Sequence, residues 1–95
     1  MFNIDKFKNI NEFIKFLESK GDETFDYCDI HNCCFAQWAK SCGAIVASAG
    51  GFSITVDGFR VRIPHEFELY RPNDGGRRTR FSDFLNNVKT HTATI

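Results

Sequence analysis

Apolar residues recur at helical spacing from the start of the chain. Phe7, Ile10, Ile14 and Leu17 stand three, four and three positions apart, and Phe13 and Phe16 widen the stripe. The pattern predicts an amphipathic helix ending near Lys20, where Gly21 can take the left-handed conformation. Asn9 or Asn11 is its expected N-cap, with the residues before it forming a lead-in or a frayed turn. From Asp22 to Asp29 the chain is acidic, with Phe25 and Tyr27 at alternate positions, and reads as an extended connector tucking two rings under the helices. A second helix is expected from about Ile30 to Ser41, capped by Asp29 and stopped by Gly43, with Phe35, Trp38, Ala39 and Cys42 on one face. Trp38 should therefore be buried, above the aromatic column of a sheet.

That sheet is the clearest local inference. Val56-Asp57-Gly58-Phe59 carries the Asp-Gly pair favoured in two-residue type I′ hairpins, so Val56 should pair with Phe59, Ile54 with Val61 and Phe52 with Ile63. If Gly50-Gly51 is a second two-residue loop, Ala49 sits opposite Phe52, Ala47 opposite Ile54 and Ile45 opposite Val56. One face of the resulting meander then holds Ile45, Ala47, Ala49, Phe52, Ile54, Val56, Phe59, Val61 and Ile63. Its column of small residues would let a helix approach closely over the first strand. The opposite face is polar, with Val46, Thr55 and Arg60 in one row and Ser48, Ser53 and Arg62 in the next.

After Pro64, His65 to Tyr70 fits a short helical turn, and Arg71-Pro72-Asn73-Asp74-Gly75-Gly76 fits a loop. A last helix is expected from about Ser82, its cap, to Val88 or slightly beyond, with Phe81, Phe84, Leu85 and Val88 inward. The tail from residue 90 on has little to bury and is expected to be loose. The predicted class is α+β: a single domain over 1–95, built as a three-stranded antiparallel meander with two to three helices on one face.

Composition narrows this picture further. A chain of 95 residues has room for one hydrophobic core, and 42% hydrophobic with 25% charged residues excludes disorder and fibrous repeats. Eleven phenylalanines suit a small core, because each ring buries a large area. No apolar run approaches the roughly 20 residues of a membrane span. The opening MFNIDKFKNINEF lacks the uninterrupted apolar segment of a secretory signal, so the expected location is cytoplasmic. There Cys28, Cys33, Cys34 and Cys42 should remain thiols. Net charge is zero but uneven: residues 1–57 carry five lysines against eight acids, and residues 58–95 carry six arginines and one lysine against four acids. Whole-molecule steering is thereby excluded, and binding of an anionic partner would depend on a local arginine patch.

Three constellations could carry chemistry. Cys28, His31, Cys33 and Cys34 offer zinc-type ligands, but adjacent Cys33 and Cys34 at a helix start would point about 100° apart, and no second ligand pair follows at the usual distance. The expectation is therefore no metal and no cofactor, with the cysteines serving as small buried hydrophobes. Cys33 or Cys34 in the first turn of a helix, with His65 as base, would give a small cysteine hydrolase, although no third orienting group can be identified. The third constellation is the arginine group. Arg60 and Arg62 share a strand face with Ser53 and Thr55, while Arg77, Arg78 and Arg80 lie in a loop, and arginine suits bidentate binding of carboxylate or phosphate.

The segment Phe13 to Tyr27, followed by Asn32-Cys33-Cys34-Phe35-Ala36-Gln37-Trp38, resembles a group of small uncharacterised proteins of phages, prophages and other mobile elements. Ile63-Pro64 and Thr79-Arg80-Phe81-Ser82-Asp83-Phe84-Leu85 extend the resemblance over about residues 11 to 88. Cys34 and Trp38 depart from the small apolar residue and the tyrosine expected at those places. The resemblance implies a phage-type accessory protein that binds a host protein or effector complex, as anti-CRISPR inhibitors do. The expected function is thus a non-enzymatic, protein-binding module, with the cysteine hydrolase or a nucleic-acid- or metal-binding domain as alternatives.

Overall fold

The computed structural model describes residues 1–26, 29–50, 52–72 and 78–93. It has α1 (Ile4–Phe7), α2 (Ile10–Lys20), β1 (Thr24–Asp26), α3 (Cys34–Ser41), β2 (Ala47–Gly50), β3 (Ser53–Val56), β4 (Phe59–Arg62), α4 (His65–Leu69), β5 (Arg78–Arg80) and α5 (Phe81–Ala93). The class is α+β, with an antiparallel sheet ordered β2-β3-β4 and a separate two-stranded ribbon of β1 and β5. Tyr27, Cys28, Gly51 and 73–77, on which several of the expectations above fall, lie outside the described residues, as do 94–95.

Polar caps define the N-terminal helices. Asn9 Oδ1 accepts the amides of Asn11 and Glu12 at 2.9 and 3.2 Å, which starts α2 as expected, and Gly21 ends it. The lead-in is itself a short helix, capped by Asn3, whose Oδ1 accepts the amide of Lys6 at 3.0 Å. The second long helix is shorter than its pattern suggests. It begins at Cys34 rather than Ile30, because Asp29 caps a separate turn: its carboxylate accepts the His31 amide at 3.2 Å and its carbonyl that of Asn32 at 3.1 Å.

Phe13 is the hub of the core. Its ring lies 4.7 to 6.4 Å from those of Phe16, Phe35, Trp38, Phe67 and Phe84, and pairs of this kind each contribute about 0.5–1.5 kcal/mol beyond burial. Trp38 is buried, as expected, but among the rings of α1 and α2 rather than above a sheet column. Its indole N–H donates to the Phe7 carbonyl at 2.9 Å, so its polar atom is satisfied. Phe25 on β1 packs against Phe81 at 4.8 Å, and the Phe81 amide donates to the Glu23 carbonyl at 2.9 Å, which seats the ribbon between the ends of α2 and α5.

The β3–β4 register is the one the Asp-Gly turn predicts, with Val56 opposite Phe59 and Ile54 opposite Val61, and Asp57 and Gly58 at φ +48° and +89° as type I′ requires. The β2–β3 register differs by two residues: Ala47 faces Val56 and Ala49 faces Ile54, with Gly50 ending the strand rather than forming the turn. The cause is Asp57, whose carboxylate accepts the amides of Ile45 and Val46 at 3.0 and 2.8 Å, while its own N–H donates to the Val46 carbonyl at 3.0 Å. These bonds draw Ile45 and Val46 out of the ladder. A shift of two keeps every side chain on its expected face.

The expected apolar face is only partly covered. Ala47, Ile54, Val56 and Ile63 are buried, whereas Ile45, Phe52 and Phe59 are 86%, 69% and 75% exposed. The exposed three stand at the margins: Ile45 and Phe52 precede β2 and β3, and Phe59 begins β4 beside the turn, while α3 packs on β2 and β3. At the other end of the chain, α5 starts at Phe81, which places Ser82 in its first turn rather than at the cap, and it continues past Val88 to Ala93.

Candidate functional site

The face of the β2-β3-β4 sheet opposite Ile54 and Val56 is uncovered. The register puts Ser48, Thr55 and Arg60 in one row and Gly50, Ser53 and Arg62 in the next. Thr55, Arg60 and Arg62 are exposed, and Ser53, half-buried, donates its hydroxyl to the Gly50 carbonyl at 3.2 Å. Among the described residues no carboxylate pairs with Arg60 or Arg62.

The other described arginines are engaged. Arg71 Nη2 is 3.1 Å from Glu68 Oε2, and its guanidinium lies 5.3 Å from the centre of the Phe35 ring. Arg78 and Arg80 belong to β5 rather than to a loop, and so to a different sheet from Arg60 and Arg62. Arg78 lies opposite Asp26 and donates to Thr24 Oγ1 at 3.4 Å, while Arg80 Nε is 3.5 Å from Asp83 Oδ2. Sequence reading could not find this division, because β1 and β5 are short and pair across the length of the chain. Arg77 is outside the described residues.

A second surface adjoins the arginine face at its margin. Met1, Phe2, Ile4, Val56, Asp57, Phe59 and Val61 line a groove of about 480 Å³, and Met1, Ile4 and Phe59 are exposed along it. The apolar alternation of the hairpin puts Phe59 on the core face. The signal that could have moved it outward is its place next to the turn, at the end of the last strand of the meander.

The cysteines sit in the core. Cys33, Cys34 and Cys42 are buried, and burial, helped by neighbouring Cys33, pushes the Cys34 thiol well above its ordinary range against the opposing pull of Arg71 and Lys20. Burial likewise pushes Cys42 up to about 11, so at neutral pH both are thiols rather than nucleophilic thiolates. Cys33 and Cys34 line a cavity of about 160 Å³ with Ile30, Phe35, Ala49, Gly50, Arg71 and Phe84. His65 lies elsewhere, exposed at the start of α4 in a cleft with Lys8, Arg62, Pro64 and Glu66, so the structure does not bring Cys33 and His65 into one cavity. His31 is exposed while Cys33 and Cys34 are buried, and among the described residues no three His, Cys, Asp or Glu converge as a metal site. Nor is any helix among them long and apolar enough to cross a membrane.

Compared with known protein families, curated proteins and solved structures, the chain matches none.

Proposed function

We propose that the protein is a binding module of phage or mobile-element type that acts in the host cytoplasm by docking on a host effector complex, in the manner of an anti-CRISPR inhibitor. The docking surface is the open sheet face, with Arg60 and Arg62 along its β4 margin and Thr55 and Ser53 beside them on β3. One observation carries this reading: Arg60 and Arg62 stand exposed with no carboxylate partner among the described residues, while Arg71, Arg78 and Arg80 are spent on contacts within the chain. Two guanidinium groups on one flat face suit bidentate contact with the carboxylates of an acidic protein surface. The phage setting rests on the sequence resemblance.

The test is the double variant Arg60→Glu with Arg62→Glu. Both side chains are outside the core, so the unfolding free energy should change by no more than about 0.5 kcal/mol per site. Capture of the partner that the unaltered protein retains from bacterial lysate should be abolished. Unchanged capture by a normally folded double variant at low salt would show that the arginine face is merely solvated.

A further inference from the structure

The hairpin geometry determines which backbone groups of the sheet are free. In a two-residue hairpin the residues flanking the turn form a hydrogen-bonded pair, and such pairs alternate with non-bonded ones. Val56 and Phe59 are therefore bonded, as are Ile54 and Val61, and the phase is confirmed by the Ile63 amide donating to the Phe52 carbonyl at 3.0 Å. The amides and carbonyls of Arg60 and Arg62 consequently point away from β3, off the edge of the sheet. No hydrogen bond engages them among the described residues. The opposite edge is closed in part, since the Ala49 amide of β2 donates to the Ile30 carbonyl at 2.8 Å.

This free edge separates two unlike surfaces. Arg60 and Arg62 stand on one side of β4, and Phe59 and Val61 line the apolar groove with Ile4 on the other. A strand added along β4 would hydrogen-bond to Arg60 and Arg62 and project alternate side chains onto the two surfaces. A second copy of the chain is a poor occupant. Pairing β4 with itself in antiparallel fashion would set arginine opposite arginine on the same face, and like charges directly opposite are repelled. The chain also shows what an Arg-x-Arg strand accepts: β5, Arg78-Thr79-Arg80, is paired with Thr24-Phe25-Asp26, an acid-bearing strand that sets Asp26 opposite Arg78 and buries Phe25 on the alternate side.

We infer that β4 is a strand-addition site, and that its partner is an extended segment in which acidic and apolar residues alternate, the acids facing Arg60 and Arg62 and the apolar side chains entering the groove beside Phe59. The inference rests on the arginine face being the docking surface and specifies how that face is engaged.

The probe is a capped synthetic peptide of alternating Glu and Val, titrated into the full chain and followed by backbone amide NMR. Binding should shift the amides of Arg60 and Arg62 and slow their exchange with solvent. A peptide of the same composition with the Val and Glu in two blocks, or one N-methylated at the residues facing β4, should bind at least about tenfold more weakly, because the first cannot set acids on one face and apolar side chains on the other and the second loses ladder hydrogen bonds. No binding of the alternating peptide, or equal affinity for the N-methylated one, overturns strand addition, and the second result leaves the arginine face intact as a charged surface. Unchanged peptide affinity in the Arg60→Glu, Arg62→Glu variant overturns the face itself.

Discussion

Glu68 is the residue whose environment is least matched to its charge. Its side chain is 11% exposed and Oε2 meets Arg71, but Oε1 is buried with no hydrogen-bond partner among the described residues. Burial raises its pKa above the ordinary 4.5, a shift that Arg71 and His65 reduce without cancelling. The folded protein thus holds this proton more tightly than the unfolded chain does. The carboxyl costs nothing extra below its ordinary range and becomes destabilising as pH rises through the raised folded value. Glu68→Gln, which keeps the shape without the charge, should raise the melting temperature at neutral pH, with the gain fading as pH falls below the ordinary carboxylate range. Loss of stability at neutral pH would mean that the Arg71 pair outweighs burial. None of this is visible in the sequence, where Glu68 is one of several acids near a turn. Burial of Trp38 was legible, because Phe35, Trp38, Ala39 and Cys42 mark one helix face whatever lies against it.

The element most dependent on one side chain is the β2-β3-β4 sheet, where Asp57 both turns the β3–β4 hairpin and ties down the chain entering β2. Asp57→Ala removes an acceptor from two amides and puts a less suitable residue at φ +48°, so it should cost about 1–3 kcal/mol in a urea titration. Asp57→Asn keeps a carbonyl oxygen there and should cost less; a neutral Asp57→Ala would contradict the role assigned to the carboxylate. The β3–β4 register was legible because Asp-Gly is a local signal with a local cause. The β2 register was not, since a long-range hydrogen bond from the turn decides where that strand begins. The β1–β5 ribbon escaped for the same reason, its two strands being three residues each and distant in sequence. Asp29 misled for a different one: it does cap a turn, but not the turn that becomes α3.

At the scale of the molecule the stabilising contacts are unevenly placed. The ring cluster around Phe13 joins α2, α3, α4 and α5, while α3 lies over β2 and β3 on one face of the sheet and Val61 of β4 is only partly buried. That leaves β4 as a margin with arginines on one side, an apolar groove on the other and free backbone between them. The polar face and its arginines could be read from the alternation along Phe59-Arg60-Val61-Arg62. That β4 is the open edge could not, because edges are set by which strands other segments come to cover. Whether this edge is open is the point on which the strand-addition site depends, and native-state hydrogen exchange on the partner-free protein measures it directly. The amides of Val61 and Ile63, bonded to β3, should exchange at least about tenfold more slowly than those of Arg60 and Arg62. Equal protection of Arg60 and Arg62 would show the edge already covered and would contradict the account.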